Sequence, residues 1–275
     1  MENEEVIMDL QLAGKRALIT GSSSGIGVEI AKSLAKEKVK VIITGRNKER
    51  ASQVAEAITQ EGGEASATSG DLSTLEGARQ VAEGASLAFG GIDILINNAG
   101  GTEDLKAWMD TSPQEWEQTY HANVIAPVRL IQLLVPQMRE QGWGRIIQVA
   151  SVAATRPLAV GPDYAAAKAA LVNLTVSLAK ELASTGITVN TVSPGPIYTT
   201  GLEQSWRTLA AEKNWGSSWA EIEKRAVQEV VPNSVGRIGR VEEVASLITF
   251  LVSPLSGYIN GANLRVDGGY LDFIN

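Results

Sequence analysis

Along the chain, short runs of apolar residues alternate with longer stretches in which apolar positions recur at helical spacing. The runs are 17–20, 39–44, 92–97, 145–149, 187–192 and 264–266, with a weaker one at 64–69. They are rich in Val and Ile and apolar at successive positions, as strands buried on both faces are. The stretches between them, 26–37, 48–60, 74–88, 114–141, 164–184 and 242–252, predict helices. Ser112-Pro113 predicts a helix start, a capping oxygen followed by Pro at the first helical position. Pro127 and Pro136 fall inside the longest stretch; each removes a backbone donor and predicts a bend. Strand–helix alternation of this kind predicts an open α/β sheet with helices on both faces. No repeat, low-complexity segment or interdomain linker interrupts it.

One segment breaks the rhythm. Residues 200–232 lie between a strand and the last helix and contain Trp206, Trp215 and Trp219, three of the six Trp. An insertion there sits near the carboxyl ends of the strands, where open α/β sheets bind ligands. It reads as a substrate lid, or as an extra helix pair packed on the core or on another subunit, and the two readings are compatible.

Composition narrows the chemistry. The 275 residues include no Cys and one His. That removes disulfides, thiol catalysis and Cys-ligated metals, so no metal site is expected. A Ser–His–acid hydrolase would rest on His121 alone, and no serine has the context of a nucleophile elbow. The net charge is −7. Glu2, Glu4, Glu5 and Asp9 carry four of those charges ahead of the first base, Lys15, so residues 1–10 read as a mobile acidic tail. An acidic start is not that of a signal peptide, and no run of apolar residues is long enough for a membrane span. No Lys/Arg-rich run points to nucleic acid. The expectation is a cytoplasmic enzyme.

The segment Thr20-Gly21-Ser22-Ser23-Ser24-Gly25-Ile26-Gly27 follows the first strand and opens the first helix. Glycines permit a tight turn and the close approach of a pyrophosphate, and the helix start offers free N–H groups and a positive dipole end. No Gly-Lys-Ser/Thr follows, so this is not a P-loop. The second strand ends Thr44-Gly45-Arg46, where a dinucleotide site for NAD usually carries an acid. An Arg pairs with a 2′-phosphate, whereas an acid repels it. The sequence therefore favours NADP(H), with NAD(H) as the alternative.

Tyr164 and Lys168 stand one helical turn apart on one face. A nearby ammonium favours the phenolate and draws a Tyr toward acid–base work near neutrality. Ser151 lies thirteen residues earlier, just past a strand; Asn97-Asn98-Ala99-Gly100 ends another strand, and Asn123 lies in a helical stretch. Ser193-Pro194-Gly195-Pro196-Ile197 follows the sixth strand, and Val266-Asp267-Gly268-Gly269 lies near the C-terminus.

These elements, in this order, resemble the short-chain dehydrogenase/reductase family over about residues 12–270. The resemblance implies one Rossmann-type doubly wound domain over 11–275, with a seven-stranded parallel sheet. It implies a catalytic tetrad of Asn123, Ser151, Tyr164 and Lys168. Tyr164 would be the acid in carbonyl reduction and the base in alcohol oxidation. Lys168 would bind the nicotinamide ribose, Ser151 the substrate oxygen, and Asn123 a relay water. Cofactor contacts would come from Gly21, Ser23, Ser24, Gly25, Ile26, Gly27, Arg46, Asp71, Leu72, Asn98, Ala99, Gly100, Tyr164, Lys168, Pro194, Gly195, Ile197 and Thr199. A homotetramer is also implied, with 114–141 and 164–184 packing across one interface.

Individual residues also have structural readings. Ser151 would simply cap a loop, Asn97 would be structural, His121 would satisfy a local hydrogen bond, Asp267 would organise the C-terminal turn, and Trp143 would be a surface or packing residue. For substrate, much of the chain resembles the 3-oxoacyl-[acyl-carrier-protein] reductase branch. Docking an acidic carrier would rest on a local basic patch from Arg129 and Arg139, against a negative overall charge. The Trp-rich segment favours instead a free, fairly apolar carbonyl or alcohol, or one with a ring that stacks. A non-catalytic cofactor-binding sensor or scaffold is the alternative from another class; such relatives lack Tyr or Lys of the tetrad, and both are present.

Overall fold

Val- and Ile-rich segments with no polar face need cover on both sides, and the chain supplies it with helices. The computed structural model describes residues 8–101 and 105–272. The elements run β1 (Arg16–Ile19), α1 (Gly25–Lys36), β2 (Lys40–Gly45), α2 (Lys48–Gln60), β3 (Ala65–Ser69), α3 (Leu75–Phe89) and β4 (Ile94–Asn97). The second half continues with α4 (Pro113–Tyr120), α5 (Ala126–Gln141), β5 (Gly144–Val149), α6 (Pro162–Glu181), β6 (Ile187–Pro194), α7 (Thr200–Lys213), α8 (Trp219–Glu229), α9 (Val241–Leu251) and β7 (Asn263–Val266).

All seven strands are parallel, in the order β3-β2-β1-β4-β5-β6-β7. This is the doubly wound fold expected. The order reverses between β1 and β4, which opens a cleft at their carboxyl ends. Ile30 and Leu34 of α1, Ile58 of α2 and Ile248 of α9 cover one face with Ile19, Ile43 and Ile96. Val81 of α3, Leu134 and Met138 of α5 and Leu182, just past α6, cover the other with Leu18, Leu95 and Ile146. Edge strands β3 and β7 are only half-buried. Among the described residues no helix is long and apolar enough to cross a membrane.

The structure redraws three expectations. The stretch predicted as one helix over 114–141 is two. Ser112 caps α4 with a reciprocal Glu115 bond, and a π-helical turn, His121–Ile125, separates α4 from α5. Pro127 then stands in the first turn of α5, where its missing N–H costs little, and Pro136 stays inside the helix. At the N-terminus, residues 1–7 lie outside the described ones, but Leu10 is already docked. It packs on the core, and its carbonyl accepts from Ser253 Oγ at 2.7 Å.

The 200–232 segment is a helix pair with a core of its own. Trp206 and Trp215 are buried with Ala210, Ile222 and Ala226, and Trp219 stacks on Trp206 with centroids 6.2 Å apart. Trp206 and Trp215 are therefore spent on the pair's own apolar face, with Trp219 half-buried against them.

Candidate active site

The loop after β1 is shaped by the absence of side chains. A Cβ on Gly27 would lie 2.6 Å from the carbonyl oxygen of Gly21 and 2.7 Å from Asn98 Nδ2, so only Gly fits there. Ser22 rivets the loop: its Oγ donates to the Ile19 carbonyl at 2.6 Å and accepts from the Thr44 N–H at 3.0 Å. Ser24 stands at the N-cap of α1 but makes no capping bond, whereas Asn47, Thr74, Ser112, Thr199 and Ser218 all cap their helices. Among the described residues, the first turn of α1, with Gly25, Ile26 and Gly27, thus keeps its N–H groups free of side-chain partners. A cradle that a Cβ would fill, at an uncapped helix start, fits a dinucleotide pyrophosphate.

Around this cradle the other expected positions gather. Ser23 faces Gly45, where a Cβ would come 2.5 Å from Ser23 Oγ, so a side chain at 45 would displace Ser23. Arg46 is exposed just beyond β2. Asp71, past β3, accepts from Ser73 Oγ at 2.7 Å and from the Ser73 N–H. Those bonds hold its carboxyl below the usual range, helped by the charges of Arg46 and Arg129. Leu72 beside it is half-buried. Asn98 Nδ2 donates to the carbonyls of Thr20 and Gly21, which joins the loop after β4 to the cradle. Across the cleft, Gly195 N–H bonds the Val266 carbonyl at 2.9 Å, the buried Ile197 bridges to Gly239, and Thr199 caps α7. Pro194 ends β6.

Helix α6 carries Tyr164 and Lys168 on one face, with Lys168 Nζ 5.6 Å from the Tyr164 ring centre. The buried ammonium donates to the Val149 carbonyl at 3.0 Å. Ser151 begins a short 3-10 turn, where its Oγ accepts from Ala153 N–H at 3.1 Å, and it lies close enough to the Tyr164 hydroxyl to draw its pKa down. It therefore caps a loop and meets the tyrosine at once. Asn123, fully buried in the π turn, accepts from Gly101 N–H at 2.9 Å and donates to the carbonyls of Gly101 and Thr119. Gly100 (φ +146°) lets this happen: a Cβ there would lie 2.5 Å from Asn123 Oδ1 and 3.3 Å from Lys168 Nζ. With Ala99, it completes the loop after β4.

Burial pushes the Tyr164 hydroxyl up, and Ser151 draws it down. Burial also lowers the Lys168 ammonium to about 8. Both shifts have one cause, the cost of a charge removed from water.

Among the residues given structural readings, Asp267 does organise its turn, accepting from Gly269 and Leu271 N–H groups at 3.1 Å. Trp143 is a packing residue, flanked by Lys15 and Arg145 over its ring. Asn97 is buried beside Gln148 in register, and neither side-chain amide has a hydrogen-bond partner among the described residues. His121 is exposed and makes no side-chain hydrogen bond among the described residues, against expectation. It sits at the outer edge of the π turn. Sequence reasoning missed Thr20, whose Oγ1 accepts from both Asn98 and Ala99 N–H groups at 2.9 and 2.8 Å. A polar β-branched residue between a buried strand and a glycine turn was the available signal.

A doubly wound sheet with an uncapped glycine cradle and two facing hydroxyls backed by a buried lysine defines a dinucleotide-dependent oxidoreductase. The model of the short-chain dehydrogenases matches residues 15–210. The uncharacterized oxidoreductase YvaG of Bacillus subtilis is 40% identical over 265 residues, 95% of this chain and 98% of that one. The 3-oxoacyl-[acyl-carrier-protein] reductase FabG of Aquifex aeolicus is 37% identical, covering 95% and 99%. The structure of L-sorbose reductase from Gluconobacter frateurii, complexed with NADPH and L-sorbose, superposes with a TM-score of 0.91 at 36% identity, covering 97% and 100%. The chain belongs to the short-chain dehydrogenase family and is an NAD(P)-dependent oxidoreductase.

Proposed function

We propose that this enzyme interconverts a carbonyl and a secondary alcohol with NADP(H), using Tyr164 as general acid and base. The observation that carries the reading is the meeting of Ser151 and Tyr164 in front of the buried Lys168, beside the cradle. The nicotinamide supplies or accepts the hydride when bound. Tyr164 gives its proton to the carbonyl oxygen, while Ser151 holds that oxygen by a hydrogen bond. Lys168, already charged toward the Val149 carbonyl, stabilises the phenolate left behind. Asn123, both of whose Nδ2 protons are already given to the Gly101 and Thr119 carbonyls, would hold a relay water.

Gly21, Ser23, Ser24, Gly25, Ile26 and Gly27 would take the pyrophosphate, and Asp71 and Leu72 the adenine. Asn98, Ala99 and Gly100 would line the floor, Lys168 would hold the ribose, and Pro194, Gly195, Ile197 and Thr199 the nicotinamide. Arg46 would pair with a 2′-phosphate; an acid at 45 would have to displace Ser23, which supports NADP(H) over NAD(H). The α7–α8 pair, with its separate core, would act as the lid. Exposed apolar Leu133 on α5 and Val176 on α6 support assembly into a homotetramer.

For the substrate, the surroundings of Tyr164 favour a free, apolar-flanked carbonyl. Leu105, Leu158 and Val160 are exposed in segments joined by the Ala107–Val160 bridge, next to the start of α6. A Cβ on Gly161 would lie 2.5 Å from Leu105 Cδ2 and 3.9 Å from Tyr164 Cβ. The bases expected to greet an acidic carrier are already engaged. Arg129 donates to the Leu72 and Ser73 carbonyls, and Arg139 pairs with Glu181 at 2.8 Å.

NADPH consumption measured over carbonyl classes, acyl thioesters included, tests the substrate class. Carrier-linked thioesters as the best substrates would overturn the free-carbonyl reading. Tyr164→Phe tests the chemistry: turnover should fall by about 10²–10⁴, the usual worth of a positioned acid, with NADPH binding retained. Unchanged turnover would remove Tyr164 from that role.

A further inference from the structure

Asp163 is the second residue of α6, immediately before Tyr164, and only 3% exposed. A carboxylate in a core is costly unless hydrogen-bonded. The first turn of a helix offers some relief through its dipole. Its side-chain partner is Thr119, whose Oγ1 donates to Asp163 Oδ2 at 2.5 Å. Thr119 is itself buried, in the last turn of α4. The same residue's carbonyl accepts from Asn123 Nδ2 at 2.9 Å.

The bonds form one chain through four parts of the site. Asp163 on α6 holds Thr119 on α4, Thr119 holds Asn123 in the π turn, and Asn123 clasps Gly101 through both its amide atoms. The π turn is the place where such a restraint matters. A π-helical turn is an uncommon geometry that shifts the bonding pattern by one residue, and it survives where neighbours hold it. Here the neighbours on either side of it are the last turn of α4 and the first turn of α6. A charged acceptor makes the clamp stronger than a neutral amide would.

We propose that Asp163 and Thr119 are positioning residues: they fix Asn123, and through it the Gly100–Gly101 loop, relative to Tyr164 and Lys168. The proposal rests on Tyr164 acting as the acid–base group. Thr119→Val keeps the shape and removes the donor. Its kcat, counted per NADPH-titrated site, should fall by about 10–100-fold, as small misplacements of reacting groups do, with KM for both substrates nearly unchanged. Thr119→Ser restores the hydroxyl and should recover most of that loss. Asp163→Asn keeps an acceptor without the charge and should fall between the two.

A kcat for Thr119→Val equal to that of the native enzyme overturns the proposal, and so does Thr119→Ser being as impaired as Thr119→Val. A merely structural role would lower thermal stability and the number of NADPH-titrated sites while sparing kcat per site, and that result also overturns it. Should Thr119→Val not fold, Asp163→Asn and Thr119→Ser decide: native kcat in Asp163→Asn overturns the proposal. Tyr164→Phe separates the two failures. Full activity in that variant would sink the acid–base reading, whereas its loss alongside native kcat in Thr119→Val would sink only the positioning role.

Discussion

On one side of the cleft, Ser151, Tyr164, Lys168 and Asn123 are held by hydrogen bonds to strand ends, to each other and to a glycine loop. On the other side, α7 and α8 are held by stacked indoles and buried aliphatic groups, with an aromatic contact to Tyr198 (4.8 Å to the Trp219 ring). The first wall is directional: each donor has one acceptor, and displacing one group misaligns the next. The second is mainly apolar packing, pinned to the rest of the domain at a few polar points: Glu203 accepts from the Tyr198 hydroxyl, and Glu223 accepts from the Ile238 N–H at 3.1 Å and pairs with Arg240 at 3.2 Å. A site that must align a proton and still admit a substrate is served by one wall of each kind.

The comparison breaks most visibly at Trp206. Trp206→Ala should cost the helix pair about 3–5 kcal/mol, the usual loss for a buried Trp. Limited proteolysis should then cut within 200–232 while the main unfolding transition moves far less. An equal fall in that transition would make the pair part of the main core.

Next in size is the buried Lys168. Its ammonium is lowered to about 8 from the ordinary 10.5, so between those values the unfolded chain binds the extra proton. Stability contributed by this group therefore rises as pH climbs from about 8 to 10.5, by roughly 3 kcal/mol in total. Denaturant unfolding of native protein and Lys168→Met across that range should diverge in that direction. Parallel curves would mean that Lys168 is not so strongly desolvated.

Arg46→Ala should be the mildest. It should weaken NADPH by about 10–100-fold, the worth of a charge-assisted pair, and leave NADH little changed. Equal losses for both cofactors, read by fluorescence titration, would take the 2′-phosphate away from Arg46.

The directional wall was largely legible in the sequence. Strand ends follow from where apolar runs stop, and Tyr164 and Lys168 share a face because a helix turns every 3.6 residues. Ser22 and Thr20 were less legible, since their importance is a matter of which backbone groups lie opposite. The π turn was hidden because a one-residue shift in bonding leaves the apolar spacing of 114–141 nearly intact, and Pro127 pointed only to its neighbourhood. Asp163 looked like any polar residue in a first turn, because its partner lies 44 positions away. Trp206 and Trp215 of 200–232 turn inward, into the core of the helix pair. Composition reports how much apolar surface a segment must bury, not whether it buries it against a ligand or against itself.

The junction of Gly195 with Val266 bears on how the molecule is made. Asp267 passes so close to Gly195 that a Cβ there would meet its Cα at 3.0 Å. The Gly195 turn is closed by Val266, and the glycine cradle by Asn98, each more than 70 residues further along the chain. Contacts so distant in sequence are rewarded only after the loop between them has been closed. Neither wall of the cofactor cleft is therefore a local device; the cleft comes into being only when the domain folds as a unit.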